Sequence, residues 1–187
     1  MDIKDDTTLS PGTYCGGISI TGDGPKVTLL PGIYVMVNGP LWTKGGAIVV
    51  GDQVMIGFTG KDSSLYAWGN SSLQLTSPKS GTYMNMQFMA DRDSADNKGT
   101  WVSIGGNDPD KGEGAAKVSI DGAAYFPNQN FWTFGNATLN VNSPSMAIVA
   151  DKIWTQGNAT VNITNNNPRN LAVKEPPTTT YGARLLR

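Results

Sequence analysis

Six of the fifteen acidic residues of this chain fall within 23 positions: Asp91, Asp93, Asp96, Asp108, Asp110 and Glu113. Clustered carboxylates bind a hard cation, cleave a glycosidic bond as an acid and base pair, or solvate a loop. The run NDPDKGEG, residues 107–114, has the oxygen-rich, glycine-containing look of a calcium loop, with Asp108, Asp110 and Glu113 as the candidate ligands. It departs from the EF-hand pattern: Gly112 stands where a third Asp or Asn belongs, and no Glu lies at the required distance. Arg92, Lys98 and Lys111 dilute the charge further. The plain reading is a solvated loop with no cofactor, and bound Ca²⁺ is the alternative. Glycoside hydrolysis needs two carboxylates roughly 5 to 9.5 Å apart, one with a raised pKa. Asp91-Arg92 and Asp151-Lys152 end the similar stretches FMADR and IVADK. Acid-base dipeptides recurring at one corner read as turn pairs, so no catalytic residue is assigned and a polysaccharide lyase or glycoside hydrolase is the lesser reading.

The sequence contains no histidine, which removes Ser-His-Asp, Cys-His and zinc-His chemistry. The single Cys15 reads as a small residue, or as half of a disulfide whose partner lies outside this sequence. Four Asn-x-Ser/Thr sequons begin at Asn70, Asn136, Asn158 and Asn162. Three of them sit in a recurring Gly-Asn dipeptide, where the structural explanation is an Asn in left-handed conformation that stacks its amide on a neighbour.

Five tryptophans, Trp42, Trp68, Trp101, Trp132 and Trp154, are the remaining candidates for chemistry, and each lies shortly before a glycine. Pointing outward they would form an aromatic strip for sugar rings or a protein partner; pointing inward they would seal the core. Repetition at one structural position favours packing.

The elements that would hold these residues are repeats. WTFGNATLNVN at 132–142 returns as WTQGNATVNIT at 154–164, identical at seven of eleven positions with an offset of 22 residues. GNSSLQLTSP, starting at Gly69, matches GNATLNVNSP, starting at Gly135, 66 residues later, read as three periods of 22. In this alignment Tyr66 takes the place of the tryptophan, and WTKGGA, starting at Trp42, repeats the opening once more. Short apolar stretches introduced by Pro-Gly corners alternate with these turns, as in SPGTY at 10–14 and LPGIY at 30–34. Leu73 and Leu75, Leu139 and Val141, and Val161 and Ile163 are expected to point inward, with Gln74, Asn140, Asn142, Asn162 and Thr164 outward. Met84, Met86 and Phe88 are expected to alternate with Asn85 and Gln87 in the same way.

The pattern predicts an all-β fold: a single-stranded parallel β-helix, a triangular right-handed β-solenoid of about six coils with about 22 residues each. Residues 1–8 read as an N-terminal tail or cap, 9–174 as the solenoid with a loop insertion near 91–116, and 175–187 as a C-terminal capping tail, where Pro176-Pro177 ends pairing. Mixed outward rows of Asn, Gln, Thr and Lys make an ice-binding face a minor alternative.

Lysine and arginine total 14 against 15 acids, so no electrostatic footprint for nucleic acid or an anionic membrane is present. No apolar run approaches the roughly 20 residues of a membrane span, and the polar start MDIKDDTT is not a signal-peptide core. A secretion signal or anchor is expected upstream.

Taken in order, LSPGTYCGGISI, LLPGIYVMVNGPLW, the GNATLNVNSP turns, MNMQFMADR, AIVADKIW and the terminal YGARLLR resemble the C-terminal surface region of bacterial Flp/Tad pilus-assembly proteins of the TadE/TadG-like group. The resemblance runs from Leu9 onward. It implies a secreted, non-catalytic module at the bacterial cell surface, associated with tight adherence and attached through a membrane anchor absent from this chain. Its partners would be other pilus or cell-surface proteins, or surface glycans. It carries over no catalytic residue.

Overall fold

The computed structural model describes residues 1–92, 98–108, 112–143 and 148–165. These residues form strands and no helix; apart from one short antiparallel hairpin the strands pair in parallel as a seven-stranded and an eleven-stranded sheet, and these pairings set out three columns beside one core. The first column holds β2 (Thr7–Leu9), β5 (Lys26–Leu29), β8 (Ile48–Gly51), β11 (Ser72–Thr76), β16 (Lys117–Asp121), β18 (Thr138–Ser143) and β20 (Thr160–Asn165), paired in that order as a seven-stranded sheet. The second holds β3 (Gly12–Cys15), β6 (Gly32–Val37), β9 (Val54–Thr59), β12 (Met86–Ala90) and the first halves of β17 (Ala123–Gly135) and β19 (Ile148–Gly157). The third holds β1 (Asp2–Ile3), β4 (Ile18–Ile20), β7 (Leu41–Thr43), β10 (Leu65–Ala67), β13 (Trp101–Gly105) and the second halves of β17 and β19. The chain visits the columns in rotation, so strand pairing is parallel and residues about 22 positions apart lie side by side, as Thr138 and Thr160 do.

Alternation along each strand builds the core. In the first column Val27, Val49, Leu73, Val118, Leu139 and Val161 form one inward row in continuous register. In the second column two inward rows run side by side: Tyr34, Ile56, Phe88, Ala124, Ile148 and Met36, Phe58, Ala90, Phe126, Ala150. Where one row carries phenylalanine on β12 and β17 the other carries alanine, so Phe88 sits beside Ala90 and Phe126 beside Ala124. That exchange keeps the volume per rung nearly constant, as close packing requires. Phe58, Phe88 and Phe126 meet with ring centroids 5.7 to 6.5 Å apart.

Four sequence expectations are corrected. First, regular strands begin at Asp2 rather than Leu9: β1 pairs β4 and β2 pairs β5, so residues 1–8 belong to the first rung. Second, Gly69 and Gly135 are two rungs apart, not three, because the coil between Ser72 and Lys117 spans 45 residues. Third, Trp101–Gly105, inside the expected insertion 91–116, is a regular strand of the third column, and the departure is an antiparallel hairpin of β14 (Asn107–Asp108) and β15 (Gly112–Glu113). Fourth, the alternation expected at 84–88 fails: Met84 is exposed in a turn, Asn85 has φ of 61°, Gln87 is fully buried, and the register shifts between Met86 and Phe88. Gln87 is accommodated because its amide donates to the Val54 carbonyl at 2.8 Å. The expected C-terminal cap at 175–187 lies outside the described residues.

Candidate functional site

The third column decides where the tryptophans point. Leu41 and Thr43 are buried with Trp42 between them, Leu65 and Ala67 are buried with Tyr66 between them, and Phe131 and Thr133 flank Trp132 in the same way. The aromatic rings therefore stand on the outer face. Parallel register sets them in one row across six strands: Ser19, Trp42, Tyr66, Ser103, Trp132 and Trp154. Two residues further along each strand a second outward row carries Trp68 on the Tyr66 strand, then Gly105 and Phe134, then Gln156. The repeated W-T-x-G sequence is thus out, in, out, corner.

The rings hold one another. Trp42 meets Tyr66 at 6.3 Å and Trp68 at 5.6 Å between centroids, and Trp101 meets Trp132 at 5.6 Å and Trp154 at 4.9 Å. Trp132 and Phe134 stack at 4.2 Å. Phe134 can lie flat because its neighbour is Gly105, where an added Cβ would come within 2.2 Å of the Phe134 ring. Ser103 is the small residue of the row, and it is only 3 % exposed because the Trp68 indole leans across to donate to its hydroxyl at 2.9 Å. The Lys44 ammonium sits 5.3 Å from the Trp42 ring centre. Burial first, and then the negative charge of Asp62, raise the Tyr66 pKa above its ordinary value and keep the phenol a donor. Trp154 remains 49 % exposed, and the other four tryptophans are half-buried by their neighbours. The core-sealing position expected for these residues is therefore taken by Leu41, Leu65, Val102 and Phe131 instead.

Comparison with family models, with curated proteins and with solved structures returns no match for this chain.

A second surface lies on the adjacent column. Ile33, Val35, Met55, Gly57 and Met89 line an open groove of about 510 Å³, with Tyr83 contributing to its wall. Its polar end is built from Asp91, Arg92 and Tyr125. Arg92 donates Nε and Nη2 to the Tyr125 hydroxyl at 2.9 and 2.5 Å, and its guanidinium lies 5.7 Å from that ring centre. Asp91 accepts a hydrogen bond from the Thr59 hydroxyl at 3.0 Å, so its carboxylate is turned to the preceding rung.

Of the candidate calcium ligands, Asp110 lies outside the described residues. Asp108 and Glu113 are on opposite strands of the β14–β15 hairpin. Among the described residues no group of three or more His, Cys, Asp or Glu side chains gathers where a metal ion could sit. Cys15 is an exposed thiol at the end of β3.

The Asn ladders form on the outside: Asn162 donates to Asn140 at 2.9 Å and Asn158 to Asn136 at 3.4 Å. The left-handed conformation expected of the corner Asn belongs to the glycine before it, with φ of 66° at Gly69 and Gly135 and 72° at Gly157. Sequence reading missed Phe134, Ser103 and Gly105 as parts of the aromatic face. Phe134 carries the one available signal, since it fills the variable position of W-T-x-G, two residues beyond an outward tryptophan.

Proposed function

We propose that this chain is a triangular parallel β-solenoid that acts as a non-catalytic rod, holding a binding face in fixed register for adhesion or structural display at a bacterial surface. The observation that carries this reading is the outward aromatic row of the third column. Outward aromatic pairs add to sheet stability, and the same row also leaves Trp154 half exposed, free to meet a partner. Aromatic side chains gathered on an outer face supply contact area at low entropic cost, because their rotamers are held by one another. The parallel ladders supply rigidity, since each rung pairs on both sides. The surface location and the pilus-assembly connection rest on the motif order of the sequence, and the partners they suggest are surface proteins or glycans.

Retention of labelled protein on bacterial envelopes tests the reading. Wild type is expected to be retained, and Trp132→Ala and Trp154→Ala to lose most of that retention while eluting as folded protein. Retention unchanged by both substitutions, or release of reducing ends from a glycan panel by the wild type, would overturn it.

A further inference from the structure

We propose that the aromatic face of the third column binds a linear polysaccharide of pyranose units, laid along the stacking direction across β7, β10, β13, β17 and β19. This rests on the contact-face reading above and adds to it the chemical class of the ligand.

Shape is the first argument. Strands β7 and β10 are three residues long, giving a ribbon about 10 Å wide, and five strands at about 4.8 Å spacing make the aromatic part about 19 Å long. That is on the order of 200 Å², far below the roughly 800 Å² per partner of a stable protein interface. A narrow ribbon suits a linear polymer better than a folded partner. The strand spacing of about 4.8 Å is also close to the width of one sugar ring, so successive rungs offer successive rings a platform.

Chemistry is the second argument. Stacked aromatics serve either nucleobases or the C–H faces of sugars, but single-stranded nucleic acid also needs a positively charged groove. The chain carries a net charge of −1. Sugars need hydroxyl partners beside the rings instead, and this face holds polar atoms without a partner. Three buried side-chain atoms have no hydrogen-bond partner among the described residues: Trp42 Nε1, Ser77 Oγ and Asn130 Oδ1. Two of these lie on this face, since Asn130 is the register neighbour of Trp101 and of Lys152. One is a donor and the other an acceptor, a pair that hydroxyls satisfy because each can donate and accept. Both atoms are covered in the free chain, so a ligand reaches them when the side chains over them, Lys44 on Trp42 among them, move aside.

The test is titration of the full chain with cello-hexaose and with the hexamer of N-acetylglucosamine, each against its disaccharide, by tryptophan fluorescence and calorimetry. At least one hexasaccharide is expected to bind about tenfold or more tightly than its disaccharide, because several rungs engage together. Trp132→Ala and Trp154→Ala are each expected to weaken binding about tenfold. Trp132→Tyr, which keeps a stacking ring, should retain most of the affinity, and Gly57→Leu in the second-column groove should leave it unchanged. If Trp132→Ala unfolds the chain, the exposed Trp154 position carries the test alone. Absence of binding by both hexasaccharides at millimolar concentration, or affinity that survives both alanine substitutions, would overturn the proposal. A concentration-dependent dimer lost in Trp154→Ala would overturn it too, while leaving the wider reading of this surface as a contact face in place.

Discussion

Tyr34 combines a fully buried ring with a hydroxyl placed 2.8 Å from the carbonyl oxygens of both Leu9 and Leu30. It thereby ties β6 to the corner before it and to the same corner of the preceding rung. Burial, followed by the charge of Tyr14, pushes its pKa up to about 12, and the Leu30 hydrogen bond offsets part of that rise. Tyr34→Phe is expected to cost about 1 to 2 kcal/mol at neutral pH, measured from urea unfolding, because the phenol's hydrogen bonding to the Leu9 and Leu30 carbonyls is lost. The unfolded phenol ionises near pH 10, while the folded one holds its proton toward 12. The stabilisation is therefore complete below pH 10 and shrinks as pH rises through the folded pKa. Wild type and Tyr34→Phe should converge in stability between those values. Two rungs further along the same inward row, Phe88→Ala should cost about 3 to 5 kcal/mol, since Ala90 and Ala124 beside it cannot fill the space.

At the scale of the elements, the corners and the flat outer faces both depend on glycine, for different reasons. Gly69 turns the chain at φ of 66°, a conformation that costs a side chain about 1 to 2 kcal/mol, so Gly69→Ala should lower the melting temperature by a few degrees. Gly105 has no such constraint; its role is to leave room for the Phe134 ring. Gly105→Ala should lift that ring, lose its stack on Trp132 and change near-ultraviolet circular dichroism, at a stability cost of about 1 kcal/mol. The columns were legible in the sequence because the W-T-x-G repeats return at the spacing of paired strands, as Trp132 and Trp154 do. Counting pairs Trp132 with Trp154 but does not give the face they stand on: repetition favours packing, whereas Trp132 stands outward between buried neighbours. The extent of the aromatic face was not legible, because it depends on neighbours 29 to 37 residues apart, such as Ser103 with Trp132 and Tyr66 with Ser103. Nor could spacing reveal the enlarged coil. An insertion into a surface turn adds little closure entropy, so a coil of 45 residues is compatible with the same stack as one of 22. Gln87 hid for a third reason: a register shift reverses the faces of a strand without any mark in composition.

For the whole molecule, parallel pairing makes each rung a nearest-neighbour unit, so stability should behave as a sum over rungs and interfaces. Removal of residues 138–159 joins Ala137 to Thr160 and deletes one full period. In that shortened chain β20 would meet β16 in the place of β18, setting Val161 against Val118 and Ile163 against Ile120, as Leu139 and Val141 are set now. Both inward rows and the outward Asn row survive the join. The shortened protein should fold cooperatively, retain its strand signal in circular dichroism, and show a smaller dependence of stability on denaturant, in keeping with the surface it no longer buries. Removal of only residues 138–148 is the opposing case. A chain segment made for the second column is then offered to the first. That deletion should leave Ala150 and Lys152 where Leu139 and Val141 belong, and no nearby partner can compensate the buried lysine. It is expected to give an aggregated or unfolded product by size-exclusion chromatography. Equal damage from the two deletions would mean that cooperativity extends over the whole stack and that the period of 22 is not an independent unit.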